Sequence, residues 1–140
     1  VGGTGTCNAI FLTAGTKLLT VTYSGDAIYS PSSGTASHTV SKGDSTTAFN
    51  GLPLPSTSPY TSFPVSVKVT GAGGNPPTGS VSFSISGGQA STCTATIDSL
   101  TQNATCNLSI TAVGTYTITA IYNGDANHWS SSSTANKNVN

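Results

Sequence analysis

Three features of the sequence predict an all-β chain of sandwich units. Apolar and polar residues alternate over short runs, as in Val65-Ser66-Val67-Lys68-Val69-Thr70 and Val81-Ser82-Phe83-Ser84-Ile85-Ser86. A period of two turns one face of a strand toward a core and the other toward water. Clusters of Gly, Pro, Asn and Asp interrupt these runs, and no segment carries a convincing helical period. Finally, part of the chain returns after 99 positions.

The return fixes the expected organisation. Tyr23-Ser24-Gly25-Asp26-Ala27 comes back as Tyr122-Asn123-Gly124-Asp125-Ala126, Cys7-Asn8 as Cys106-Asn107, and Gly15-Thr16 as Gly114-Thr115. Without a gap, 15 of 41 overlapping positions are identical. Residues 1–41 are therefore expected to be the second half of one repeat, with its last three or so strands, and residues 42–140 a complete one. A half sandwich cannot cover its own apolar face, so strands from elsewhere are expected to complete residues 1–41. The two sources are an upstream segment of a longer array and an identical neighbouring subunit that adds strands.

In the complete repeat, seven strands are expected near 45–50, 63–70, 80–86, 91–97, 104–111, 115–123 and 132–139. The first holds the β-branched Thr46-Thr47, and the second and third are the alternating runs above. Gly71 to Gly79, with Asn75-Pro76-Pro77, is a turn-rich connection between those two. Gly87-Gly88 ends the third strand. Tyr116, Ile118, Ala120 and Tyr122 line one face of the sixth, and Asn123-Gly124-Asp125 stops it. Seven short strands in about 100 residues point to an immunoglobulin-like β-sandwich. Tyr116 stands where such sandwiches place a tyrosine corner, although the first copy has Lys17 there.

Composition narrows the function. Only 6% of residues are charged, against about 25% in ordinary globular proteins, and the formal net charge is zero. No long-range field gathers phosphates, so nucleic-acid binding is not expected. Polarity comes from 24 Thr and 22 Ser instead. Strict alternation reads this Thr content as strand rather than disordered stalk. No apolar run approaches the length of a membrane span, so membrane insertion is not expected. The chain starts at Val1, with no basic-then-apolar leader, and reads as a mature or excerpted segment.

Several stretches together resemble the bacterial Ig-like repeat families of long, secreted, repeat-rich surface proteins and adhesins. They are Ser41-Lys42, Ser45-Thr46-Thr47, Pro77-Thr78-Gly79-Ser80-Val81-Ser82-Phe83, and Gly114 to Ala120 followed by Gly124-Asp125-Ala126-Asn127. The resemblance covers residues 42–140 in order and residues 1–41 as a half copy. It implies a β-sandwich module in an extracellular or cell-surface setting, and it carries no catalytic residues.

Many such repeats lack cysteine, whereas this chain has three. Cys93 and Cys106 flank an expected hairpin whose turn lies around Asp98 to Asn103, and facing strand positions suit a disulfide. Two buried free thiols are the alternative; an extracellular repeat favours the bond. Cys7 holds the phase of Cys106, so its partner is expected outside this chain. Had Val1 been a native terminus, Cys7 could bond another molecule.

Each candidate site has a plain structural reading beside it. Asp26 and Asp125 recur at one turn and could suggest calcium, but each turn supplies a single carboxylate, which suits capping of the turn itself. Neither a metal nor a cofactor is expected. His38 and His128 lack any nucleophile-elbow context, and no close carboxylate pair is present, so no enzyme activity is expected. Trp129, Tyr29, Tyr60 and Phe63 are the aromatics expected to be partly exposed. Trp129 and Tyr60 are the candidate contacts for a glycan or protein, while Tyr29 and Trp129 could simply cap the core. Asn103 and Asn107 begin Asn-x-Thr and Asn-x-Ser triplets, a possible glycosylation signal. Exposed hydroxyl runs such as Ser130 to Thr134 could carry O-linked sugars.

The sequence thus predicts a non-enzymatic stalk or filament building block, whose partners are neighbouring Ig-like repeats or identical subunits. An adhesin module that binds glycan or protein through loop aromatics is the alternative.

Overall fold

The computed structural model describes residues 2–51, 61–87 and 91–140, and among these residues every regular element is a strand. β1 (Gly15–Tyr23) and β2 (Ser32–Val40) form a two-stranded antiparallel sheet. β3 (Ser45–Phe49), β4 (Thr61–Gly71) and β7 (Asn103–Ile110) form a second sheet in the order β3-β4-β7. β5 (Ser80–Ser86), β6 (Thr92–Thr96), β8 (Gly114–Tyr122) and β9 (Ser131–Val139) form a third, in the order β6-β5-β8-β9. The second and third sheets pack face to face as an immunoglobulin-like sandwich.

The core between them follows from alternation. β4 contributes Val65, Val67 and Val69, and β5 contributes Val81, Phe83 and Ile85; the serines between the β5 residues stay partly solvated. β8 buries Tyr116, Ile118, Ala120 and Tyr122, and β7 buries Ala104, Leu108 and Ile110. Removing each large aliphatic side chain from water contributes about 1.5–3 kcal/mol before entropy is counted. The observed strand limits lie within two residues of those expected for the complete repeat.

Tyr116 builds the expected corner, since its hydroxyl donates to the Ala112 carbonyl oxygen at 2.9 Å. Lys17 does related work in β1, where its Nζ donates to the Ala14 carbonyl oxygen at 3.2 Å and to Thr13 Oγ1 at 2.7 Å. A cation there anchors the strand start by the same backbone group type. One side of the sandwich is stitched by hydroxyls. Ser131 Oγ lies 2.8 Å from Ser45 Oγ and 2.7 Å from Thr47 Oγ1, which joins β3 to β9.

Two expectations need correction. Cys93 and Cys106 do form a disulfide, with Cα atoms 6.3 Å apart. They do not flank a hairpin, because β6 pairs with β5 while β7 pairs with β4. The bond instead crosses from one sheet to the other. Asp98 turns the chain over by accepting main-chain N–H bonds from Leu100 (3.1 Å) and Thr101 (2.7 Å). This is local chemistry that a hairpin turn and a crossover share.

The second correction concerns residues 1–41, which form two strands rather than about three. Residues 4–11 align with β7 in the sequence match but form no ladder. β7 exists because β4 pairs with it over Thr61 to Lys68. Residues 1–41 hold no counterpart of β4, so residues 4–11 find no strand to pair with.

Candidate interaction surface

The most elaborate polar cluster sits at the end of β8. Asp125 Oδ1 accepts from the main-chain N–H groups of Asn127 and His128, both at 2.7 Å. Its Oδ2 accepts from Thr78 N at 2.8 Å and from Thr78 Oγ1 at 3.0 Å. His128, which is buried, places Nδ1 3.0 Å from Asp125 Oδ1. Burial alone pushes the Asp125 carboxyl pKa up, but the bonds from Thr78, Asn127 and His128 outweigh it and hold the group well below the usual carboxylate range. The turn depends on Gly124 at φ 82°, where a Cβ would meet the His128 carbonyl oxygen at 2.7 Å. Burial, reinforced by the nearby Asp125 carboxylate, pushes the Tyr122 hydroxyl up to about 12.

A second turn has the same design. Asp26 Oδ1 accepts from Ile28 N and Tyr29 N, both at 2.7 Å, and Tyr23 OH donates to Oδ2 at 2.8 Å. These bonds, the Ile28 one foremost, lower the Asp26 pKa. Both carboxylates therefore act as turn caps. Among the described residues no group of three or more His, Cys, Asp or Glu side chains could hold a metal ion.

The segment 41–45 is clamped onto the 125–129 loop. Gly43 N donates to the Asn127 carbonyl oxygen at 2.8 Å, and Trp129 N donates to the Gly43 carbonyl oxygen at 2.9 Å. Lys42 Nζ donates to the Asp125 carbonyl oxygen and lies 5.5 Å from the centroid of the Trp129 ring. Gly43 has no room for a side chain, because a Cβ would strike the Ala72 carbonyl. From the other side, Ala14 N donates to Asn127 Oδ1 at 3.0 Å and Asn75 Nδ2 donates to the Leu12 carbonyl oxygen at 2.6 Å. The chain ahead of β1, the 41–45 segment and two sandwich loops thus meet at one polar joint.

The residues singled out from the sequence do not converge on a single site. Cys7 is a free, exposed thiol. Asn103 is half-buried and accepts from Asn50 Nδ2 at 3.0 Å, whereas Asn107 is exposed. Trp129 is 55% exposed beside Lys42, so it does not cap the core. Tyr29 is 63% exposed and does not cap it either, because it follows β1, whose two-stranded sheet is separate from the sandwich. Phe63 proves buried rather than partly exposed, with Lys137 Nζ 5.3 Å from its ring centroid. Tyr60 lies outside the described residues. His38 stacks on Phe11, with ring centroids 5.3 Å apart. Sequence reasoning missed Thr78 and Gly43; the Pro77-Thr78-Gly79 turn and the lone Gly43 ahead of β3 are their only signals.

The largest unsatisfied feature is apolar. Among the described residues, β1 and β2 form a sheet that is exposed almost throughout, and Leu18, Val21, Tyr23 and Leu19 are exposed along β1. Ile10, Leu12 and Ile28 extend this surface. Cys7 and Ala9 border a hollow with Leu19, Val21, Gly34 and Ala36. Among the described residues no helix is long and apolar enough to cross a membrane.

The family profile described as bacterial Ig-like domain (group 3) matches residues 52–140. A search of curated proteins returns no match.

Proposed function

Because the chain belongs to the bacterial Ig-like domain (group 3) family, we propose that it is a structural, non-enzymatic module of an extracellular or cell-surface repeat protein. It acts as a stalk or as a building block of a filament. The family is generally non-enzymatic and common in surface proteins.

The observation that carries this reading is the joint at Gly43. The 41–45 segment is hydrogen-bonded through its own backbone to the 125–129 loop, so a pull on residues 1–41 passes directly into the sandwich. A tandem organisation with a 99-residue period belongs to the same proposal, with residues 1–41 as half of one copy. Two likenesses support it. Gly15 pairs with Val40 and Tyr23 with Ser32 in the first hairpin, as Gly114 pairs with Val139 and Tyr122 with Ser131 in the second. Asp26 and Asp125 also cap their turns through the same two N–H groups.

Low charge suits the role, since little of the stability then depends on ion pairs that salt screens. Small-angle X-ray scattering on chains of increasing copy number tests it. A maximum dimension that grows linearly with copy number is expected, and a collapsed, globular series would refute the stalk.

An adhesin module is the second reading, favoured by the exposure of Trp129 just ahead of β9. It requires glycan or protein binding that Trp129→Ala abolishes.

A further inference from the structure

We propose that the open face of β1–β2 is the docking surface for a four-stranded Ig-like half, carried by polypeptide outside these 140 residues and disulfide-bonded to Cys7. This rests on the reading of residues 1–41 as the second half of a repeat.

The complete sandwich shows what such a face requires. Ile118 and Ala120 of β8 are fully buried, in one core cluster with residues of β4 and β7 from the opposing sheet. Leu19 and Val21 hold the same phases in β1 and remain exposed. β8 is also paired with β5 along Val81 to Ser86, whereas among the described residues no strand lies beside the corresponding edge of β1. An unpaired edge with apolar side chains along it is a template for strand addition.

Two polar features define the occupant further. Cys106 is bonded to Cys93 of β6, and Cys7, at the phase of Cys106, is exposed and unbonded. The occupant therefore carries a cysteine at the phase of Cys93. Asp125 receives Thr78 from the loop between β4 and β5, through both the main-chain N–H and the hydroxyl. Among the described residues, Asp26 receives only its own turn and Tyr23, and it borders a hollow with Gly3, Thr4, Gly5 and Tyr29. A Thr-bearing loop of the occupant fills that place.

Residues 42–140 of a second copy have no first half to offer, because β3 to β6 are already packed on their own second half and tied to it by Cys93–Cys106.

The bond itself forms by exchange with a small-molecule disulfide such as oxidised glutathione. The Cys7 thiolate attacks one sulfur and expels a thiolate; the occupant's cysteine thiolate then attacks the Cys7 sulfur and expels the second. Two protein thiols lose two protons and two electrons, and the oxidant leaves as two thiols.

The test joins a copy of residues 42–99 directly ahead of Val1, where residue 99 meets the phase of residue 100. The chain is refolded in a glutathione redox buffer, its disulfides are mapped, and binding of a hydrophobic dye is compared with that of residues 1–140. Cys7 bonded to the added copy of Cys93, loss of Cys7 alkylation and loss of dye binding are expected. A Cys7 that alkylates as readily as in residues 1–140, with Cys93–Cys106 intact, overturns the proposal. A Cys7→Ser chain of residues 1–140 provides a second measurement that does not need the longer chain to fold. Sedimentation as a dye-binding monomer is expected, and a dye-silent dimer overturns the proposal. Neither reversal touches the scattering test of the stalk, which fails or stands on the complete repeat.

Discussion

Thr78 donates both its main-chain N–H and its hydroxyl to one oxygen of Asp125, at 2.8 and 3.0 Å, across 47 positions of sequence. The same carboxylate closes its own turn, so a single side chain ties the loop before β5 to the loop before β9. Loss of a mostly buried, charged acceptor leaves several N–H donors without a partner. Asp125→Ala is expected to lower stability by about 2–4 kcal/mol, and Thr78→Val by about 1 kcal/mol. Urea unfolding of the two variants checks both figures.

Acid and alkali are expected to act through different residues. Asp125 titrates below the value of about 3.9 for an unfolded aspartate, so its contribution is full above that pH and is lost as pH falls through the lower, folded value. Tyr122 titrates at about 12 in the fold, against about 10 unfolded. Its contribution is full below pH of about 10 and is lost as pH rises toward 12. Lys137, lowered by burial, works in the opposite direction over the alkaline range. The readout is therefore a difference: between about pH 10 and 12, unfolding free energy should fall more steeply in the native chain than in Tyr122→Phe.

The disulfide closes a loop over a sequence separation of 13 residues. In the chain-entropy account a closure of that length stabilises by about 3 kcal/mol. Replacing Cys93 and Cys106 together by Ala should lower stability by that order. Reductant should lower the Tm of the native chain and leave the Tm of the double variant unchanged. Calorimetry with and without reductant decides.

Ile118 and Leu19 occupy matched phases of two matched hairpins, one fully buried and the other 39% exposed. Ile118→Ala is expected to cost about 2–5 kcal/mol through the cavity it leaves. Leu19→Ala in residues 1–140 should cost less than about 0.5 kcal/mol, because its side chain lies on an exposed face. Equal effects, measured by thermal unfolding, would contradict the open face of β1.

Much of the sandwich is legible in the sequence because side-chain alternation is a local signal. Val65 to Val69 and Val81 to Ile85 declare their buried faces without reference to any other strand. The turn caps at Asp26 and Asp125 are legible for the same reason, since each bonds residues two and three positions ahead. What escapes is the choice of partner. The Asp98 turn looks alike whether the next strand returns to the same sheet or crosses to the other, so the Cys93–Cys106 pairing could be read but not its inter-sheet course. Thr78 and Gly43 escape because their roles are set by loops far away in sequence. Residues 4–11 carry a strand-like pattern and still form none, because pairing is a property of two segments.

The disulfide also sets how far the module can lengthen. When the ends of a folded sandwich are drawn apart, residues between Cys93 and Cys106 stay behind the crosslink and cannot be paid out. Thirteen residues of extended chain amount to roughly 45 Å, of which the bond leaves only the 6.3 Å between its Cα atoms. Each oxidised unit that ruptures should thus yield a contour-length increment about 40 Å shorter than its reduced form, making the redox state of the surroundings a control on extensibility.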